Sequence, residues 1–287
     1  MKVDGRIQYD THVHTMFSTD SVTPMRSQLD RAKQLHLKGI CFTDHIDYDF
    51  PENEYVSKKP LDGPPFVFDI EEYKNAIKEL VPEYPELKIM MGIECGLQLN
   101  SETIKKNMAL AEDRDLDYLI GSVHLVDGKD PYYPTFWEQD DASALVRHYF
   151  ELIYENIKEF HNFDSLGHLD YIVRYAPDSF VYRPEDYQDI IMEILNFIIQ
   201  HDIALELNTS GWKSTHSPNP HISILEWYYS MGGRIVTVGS DAHVPEYLGF
   251  SFEKIPEILF PEDTPYDTGF DYYVTFQKHK PVFHEVL

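Results

Sequence analysis

Two histidines one residue apart, His12 and His14, follow a short apolar stretch, Ile7 to Asp10, that reads as a β-strand. Side chains at i and i+2 of an extended backbone share a face, so both imidazoles can reach one ion. Neutral imidazole suits zinc, iron or manganese. On its own, His-x-His is also what two surface histidines look like. Recurrence gives it weight: Asp44-His45, Glu94, His124, His168 and Asp241-Ala242-His243 each stand just past another short apolar run. Imidazole combined with carboxylate is the donor set of an N/O metal centre.

The elements that must position these residues alternate along the chain. After the first strand, Pro24 opens a helix with apolar residues Met25, Leu29, Ala32 and Leu35, which Gly39 is expected to close. Ile40 to Thr43 is a strand, followed by a loop rich in proline and acidic residues. Asp69 and Glu72 form a capping-box pattern before a helix running to about Leu80. Strand Lys88 to Ile93, a helix capped by Ser101, strand Tyr118 to Val123 and a long loop from Asp127 to Trp137 come next. Helices over Ala142 to Phe160, Pro184 to Gln200 and Ile222 to Met231 are interleaved with strands at Ser165 to Gly167, Ile203 to Leu207 and Arg234 to Gly239. Such alternation predicts a mostly parallel sheet with helices outside. Seven strands predict an α/β fold, a closed but irregular (β/α)7 barrel. Barrel enzymes place their chemistry at the C-terminal strand ends, and six of the seven strands end in His, Asp or Glu. The sixth, ending at Asn208, is the exception.

Composition narrows the function. With 287 residues, 43% of them hydrophobic, the chain can bury one large core, and one domain over residues 1–287 is expected. No apolar run is long enough to span a bilayer, and no charged-then-apolar signal pattern opens the sequence. Cys41 and Cys95, the only cysteines, fall in strands that read as buried, so a reducing cytoplasm is the expected location. A formal charge of -25 speaks against a nucleic-acid footprint, which needs clustered Lys and Arg.

The series His12-x-His14, Asp20, Asp44-His45, Glu94, His124, Gly167-His168 and Asp241-x-His243 resembles the PHP (polymerase and histidinol phosphatase) superfamily of metal-dependent phosphoesterases. Within it, Gly121-Ser122-Val123-His124-Leu125-Val126-Asp127-Gly128, Gly167-His168-Leu169-Asp170-Tyr171 and Glu206-Leu207-Asn208-Thr209-Ser210-Gly211 resemble the monofunctional histidinol-phosphate phosphatases. The resemblance implies a distorted (β/α)7 barrel with the metal site at the C-terminal strand ends, holding two to three divalent ions (Zn, Mn or Fe). It further implies hydrolysis of L-histidinol phosphate in histidine biosynthesis, a metal-bridging hydroxide attacking phosphorus. Two ions roughly 3.5–4 Å apart can supply a nucleophile and neutralise phosphoryl charge. By resemblance, His12, His14, Glu94 and Asp241 hold one ion, and Glu94, His124 and His168 a second. Asp20, His45 and His243 hold a third, with Asp44 orienting its neighbours. Glu94 is the natural bridge, because a carboxylate offers two oxygens and imidazole one free nitrogen.

Phosphate also calls for fixed positive charge. Arg174 and Lys213, on loops after the fifth and sixth strands, are assigned to it, since similar phosphatases carry basic residues there. Asp47 and Asp49 are candidates for the substrate's amine and imidazole, and His216 for a substrate contact. The aromatic run Tyr132, Tyr133, Phe136 and Trp137 either walls a pocket or packs its loop. His36, His148, His161, His201, His221, His279 and His284 read as ordinary surface or capping residues. The alternatives are a PHP phosphoesterase acting on another small ester, nucleotide or nucleic acid, and a non-catalytic metal-binding module. An amidohydrolase also opens on His-x-His, but its bridging group is often a lysine. The expected partner is a small phosphate ester, with neither nucleic acid nor membrane; the number of subunits is not legible.

Overall fold

The computed structural model describes residues 7–51, 64–260 and 268–285. Eight parallel segments make the main sheet: β1 (Tyr9–Val13), β2 (Gly39–Phe42), β3 (His45–Ile46), β4 (Lys88–Gly96), β5 (Tyr118–Ser122), β6 (Ser165–Leu166), β7 (Ala204–Asn208) and β8 (Val236–Gly239). β3 resumes the course of β2 after a break at Thr43-Asp44. β2 pairs with the first half of β4 and β3 with the second, His45 lying opposite Glu94. Eight segments therefore fill seven positions of a nearly closed barrel, the distorted (β/α)7 architecture expected from the sequence. The proline- and acid-rich loop after His45 falls partly on residues 52–63, outside the described residues.

Helices α1 (Met25–Gln34), α2 (Ile70–Leu80), α3 (Ser101–Ala111), α4 (Ala142–Glu159), α5 (Gln188–Gln200), α6 (Ile222–Ser230) and α7 (Ile255–Leu259) accompany the strands. α4 buries Val146, Tyr149, Phe150, Ile153 and Ile157, an i, i+3, i+4, i+7 stripe facing the sheet. Each such side chain contributes roughly 1.5–3 kcal/mol of burial, against roughly 0–1 kcal/mol for an exposed ion pair. The Arg147–Asp189 bridge to α5 at 3.1 Å is therefore secondary to the apolar stripe.

Three local details correct the sequence reading. Asp69 does cap α2, accepting from the Glu72 N–H at 3.0 Å, but α3 is capped by Asn100, not Ser101. Asn100 accepts from the Glu102 and Thr103 N–H groups. α1 is left through His36, whose φ of 57° is left-handed, and not through Gly39. Gly39 lies within β2, where a Cβ would come 2.3 Å from the Lys88 carbonyl oxygen. β1 begins and ends later than expected, so His12 sits inside it.

Between β1 and β8, the backbone pairing of the described residues lies at the C-terminal rim. Val13 bridges Ala242, the Asp241 N–H donates to the His12 carbonyl (2.9 Å), and the His14 N–H donates to the Ala242 carbonyl (3.0 Å). The buried Gln28 amide of α1 donates to both the His14 and Ala242 carbonyls at 3.0 Å. Asp10 staples the same seam, accepting from the Ser240 and Gly249 N–H groups at 2.9 Å. Burial outweighs these hydrogen bonds and pushes the Asp10 carboxyl up to about 6.

The opposite end is plugged by a hairpin of β9 (Tyr272–Gln277) and β10 (Lys280–Glu285), where the sequence reading saw only a tail. Val274 and Phe276 enter the barrel among Cys41, Met90, Tyr118, Ile120 and Ala204, Phe276 stacking on Tyr118 at 5.3 Å. The turn residues Lys278 and His279 have φ of 52° and 59°, the left-handed pair of a two-residue hairpin turn. The His279 N–H donates to the Asp117 carbonyl, and its Nδ1 lies 2.8 Å from an Asp164 oxygen.

This Asp164 hydrogen bond raises the His279 imidazole above its ordinary range. Its stabilisation is complete below the unfolded value and fades as pH rises through the folded one. His279→Asn, which tolerates the left-handed turn, should destabilise the chain by about 1 kcal/mol more at about pH 6 than at about pH 8.5. Urea midpoints at the two pH values check this; equal losses would remove the charge from the account.

Candidate metal centre

Glu94 rises from the buried second half of β4 and is itself fully buried. Its Oε2 lies 2.9 Å from His45 Nδ1, 3.1 Å from His12 Nε2 and 3.5 Å from His14 Nε2. Its Oε1 faces the other way, 2.8 Å from His168 Nε2 and 3.1 Å from His124 Nε2. One carboxylate thus addresses two groups of imidazoles with different oxygens. Asp241, held with a φ of 53° unusual for a non-glycine residue, brings Oδ1 to 3.3 Å from His14 Nε2. Asp20 Oδ2 approaches His243 Nε2 at 3.0 Å and His45 Nε2 at 3.7 Å.

All nine residues read from the sequence as candidate ligands therefore converge on one rim of the barrel. Sets whose donor atoms lie within 4.8 Å of one another are His12, His14 and Asp241; Glu94, His124 and His168; His14, His45 and His243; and His45, Asp47 and His124. The second set has the same members as one expected grouping, and the first has those of the other apart from Glu94. In the third, His14 stands with His45 and His243 while Asp20 flanks both of the latter.

Whether a cation fits is tested by hydrogen-bond accounting. His14 Nε2, His45 Nδ1, His243 Nε2 and Asp20 Oδ1 are buried without a hydrogen bond of acceptable geometry among the described residues. Buried polar atoms of this kind cost free energy unless something satisfies them. Outward partners also set the tautomers. His12 Nδ1 is 2.5 Å from Glu206 Oε1, His14 Nδ1 is 3.0 Å from Ser18 Oγ, and His124 Nδ1 is 3.0 Å from Asp47 Oδ1. With Nδ1–H donated outward, each Nε2 lone pair faces the Glu94 side, the arrangement that metal-ligating histidines adopt. The donor set fits two or more N/O-liganded divalent cations.

The electrostatics of these groups follow from the same neighbours. Burial opposes ionisation of Glu94, but His12, His45 and His124 hold its carboxyl well below the usual range. Asp241 is held down in the same way, by His12 and His14 against burial. The His14 imidazole is pushed well below its ordinary value, by burial and by its neighbours His243 and His45. Burial opposes but does not prevent a rise at His12, where Glu206, Glu94 and Asp241 converge.

The centre opens into a cavity of about 480 Å³ lined by Asp20, His45, Asp47, His124 and His243 on one side and by Phe50, Phe66, Asp130, Tyr132, Tyr133, Tyr171 and Tyr175 on the other. Within the aromatic run, Tyr132 and Tyr133 wall this cavity, whereas Phe136 and Trp137 pack the loop. Asp47 lines the cavity but is engaged with His124, and Asp49 accepts from the Thr103 hydroxyl away from it. The Asp44 carboxylate takes N–H and O–H donors from Thr15 and Ser18, orienting the loop after β1. Arg174 is partly buried, its Nη2 donating to Ser210 Oγ at 2.5 Å and its Nη1 3.6 Å from Asp241 Oδ2. Lys213 is exposed, its ammonium 4.0 Å over the Tyr247 ring, and is not among the cavity's described lining residues. His216 is exposed as well.

Glu206 and Ser210 were read from the sequence only as part of a family-like stretch, with no role assigned to either. Besides His12, Glu206 accepts the His168 N–H through Oε2 at 2.8 Å, and Ser210 Oγ lies 3.2 Å from Asp241 Oδ2. β7 thus supplies orientation where the other strands supply donors. An acidic residue inside the apolar run Ala204–Asn208 was the available signal, since a buried parallel strand carries a charge only with partners.

A barrel with imidazoles and carboxylates gathered at its C-terminal rim defines a metal-centre protein of the PHP class. The PHP domain model matches residues 10–210, and the chain belongs to this family. It is 34% identical over 248 residues to a Clostridium acetobutylicum protein named "Probable histidinol-phosphatase", covering 86% of this chain and 90% of the relative. A Lactococcus lactis histidinol-phosphatase is 29% identical, with 87% and 89% covered. The crystal structure of histidinol phosphate phosphatase from Lactococcus lactis, complexed with zinc, L-histidinol and phosphate, superposes with a TM-score of 0.79 at 27% identity, covering 96% of this chain and 98% of that one. A Listeria monocytogenes structure at 16% identity shares the fold, with a TM-score of 0.72 and 86% and 99% covered.

If Glu206 fixes the His12 tautomer, Glu206→Gln should weaken metal retention roughly 10- to 100-fold, the range for loss of such an outer partner. Competition against a chelator, read by elemental analysis, checks this. Retention equal to the unsubstituted chain would make Glu206 a packing residue.

Proposed function

We propose that this chain is a metal-dependent phosphatase hydrolysing L-histidinol phosphate to L-histidinol and phosphate, a single-domain cytoplasmic enzyme of histidine biosynthesis. The observation that carries the reading is Glu94, whose two oxygens face two imidazole groups at the floor of a small-molecule-sized cavity. Two to three zinc, manganese or iron ions would be held by His12, His14, Glu94 and Asp241, by Glu94, His124 and His168, and by Asp20, His45 and His243. Bound there, they would supply a nucleophile from water at neutral pH and neutralise charge on the phosphoryl oxygens.

The chain's own residues do the rest. Glu206, Ser18 and Asp47 hold the tautomers of His12, His14 and His124. Arg174 offers a planar fork to phosphate beside Asp241, its Nε buried without a partner among the described residues. Lys213 is the second cation assigned to phosphate, reaching from the loop after β7. The formal charge of -25 favours a small ester over a polynucleotide. No helix among the described residues is long and apolar enough to cross a membrane.

Phosphate release from a panel of L-histidinol phosphate, nucleotides and short DNA, after reconstitution with Zn²⁺ or Mn²⁺, tests the reading. L-Histidinol phosphate should be preferred; preference for nucleotide or DNA would replace it. On the same panel Arg174→Ala should lower kcat/KM roughly 10- to 200-fold with metal content unchanged, the cost of one charge-assisted hydrogen bond. Lost metal together with lost activity would make Arg174 the anchor of Asp241 and not a phosphate contact.

A further inference from the structure

β7 ends in an amide, Asn208, where the sequence reading found an exception to the run of acids and imidazoles, and this side chain is fully buried. The amide uses every hydrogen-bonding position it has. Nδ2 donates to Glu206 Oε2 at 3.2 Å and to Asp241 Oδ2 at 3.5 Å, while Oδ1 accepts from the Ser210 N–H at 3.0 Å and from Ser210 Oγ at 2.6 Å. The reverse orientation would set the amide oxygen against two carboxylates and Nδ2 against an N–H, so one arrangement is selected. The backbone is fixed as well. Asn208 and Asn219 exchange N–H donors at 2.7 and 2.9 Å, and Asn219 Nδ2 donates to the buried Asp170 carboxylate at 2.7 Å.

The two carboxylates joined by this amide serve different parts of the centre. Glu206 holds His12 Nδ1 through Oε1 and the His168 N–H through Oε2, one histidine from each of two proposed ion positions. Asp241 turns Oδ2 to Asn208 and Oδ1 to His14 Nε2. A donor at this point has to be neutral. Lysine would set a fixed cation beside the ions, and an ionised aspartate would set a third carboxylate against two others and supply no donor. Asparagine brings two N–H donors and no charge, one for each carboxylate.

Resting on the metal-centre reading and not on the identity of the substrate, we propose that Asn208 is a positioning residue for two of the ions: by joining Glu206 to Asp241, its amide holds His12, His168 and Asp241 in one geometry. It acts through the two carboxylates and is not itself a ligand. The sixth strand therefore ends in an amide for the same reason that the others end in donors to metal.

Zinc retention tests this, by chelator competition with elemental analysis on the unsubstituted chain, Asn208→Ala and Asn208→Asp. Alanine removes the two donors and the acceptor. Aspartate keeps the shape and an acceptor for the Ser210 N–H, and adds a charge that by Coulomb attraction alone would tighten zinc. Positioning gives the opposite sign: both variants should retain zinc roughly 10- to 100-fold more weakly, the range for loss of an outer partner of a metal ligand. Phosphate release lost at limiting zinc should return in large part at saturating zinc, a recovery that a catalytic role would not show. Should Asn208→Ala fail to fold, Asn208→Asp, nearly identical in shape, decides by the sign of its effect. Equal or tighter retention in either folded variant would overturn the assignment and leave the metal-centre reading standing. An unsubstituted chain that holds no zinc would overturn both.

Discussion

An ionised carboxylate with no solvent exposure is the constraint on which the site depends. Leaving Glu94 charged in the barrel interior would cost several kcal/mol unless its oxygens were matched. Five imidazole nitrogens from β1, β3 and the loops after β1, β5 and β6 lie within 3.5 Å of those oxygens. β4 is long enough to make this meeting possible. Its first half pairs with β2 and ends opposite Phe42, and its second half pairs with β3 and β5 and carries Glu94 up to the rim.

The irregularities of the barrel fall where donors must be aimed. β1 loses its register between Asp10 and Val13, which places His12 and His14 along the seam closed by Ala242. The β2–β3 break admits Asp44, whose hydrogen bonds to Thr15 and Ser18 tie the loop after His14 to the next strand. Asp241 adopts a left-handed conformation at the seam itself. The far end of the barrel is conventional packing, an apolar plug of Val274 and Phe276. One end thus stabilises the fold and the other aims the donors.

Much of this was legible in the sequence, because parallel strands buried on both faces are apolar runs and a His, Asp or Glu closing such a run stands out. The alternation pointed to the barrel, and the run endings to eight of the nine candidate ligands, Asp20 coming from the family resemblance alone. What was not legible has physical reasons. The hairpin turn Lys278-His279 adopts two left-handed residues without Asn or Gly, stabilised by Asp117 and Asp164 from distant sequence. Helix α1 ends through His36 in a local turn, the Leu37 N–H donating to the Ala32 carbonyl at 3.0 Å, without the Gly or Asn that such a turn commonly carries. Glu206 was hidden because it holds histidines and does not end its strand. The contact of Lys213 with the Tyr247 ring is one that no local pattern announces.

The account rests on Glu94 serving two groups of donors at once, and metal content together with turnover of Glu94→Gln tests this most directly. Glutamine keeps the size of the side chain but offers one carbonyl oxygen and no charge. The account predicts that the reconstituted variant retains at least one ion fewer per chain than the unsubstituted enzyme. Phosphatase activity should fall by several orders of magnitude while the circular dichroism of the barrel is preserved. A variant with the full metal complement and near-normal turnover would contradict it, and would mean that another carboxylate joins the two groups.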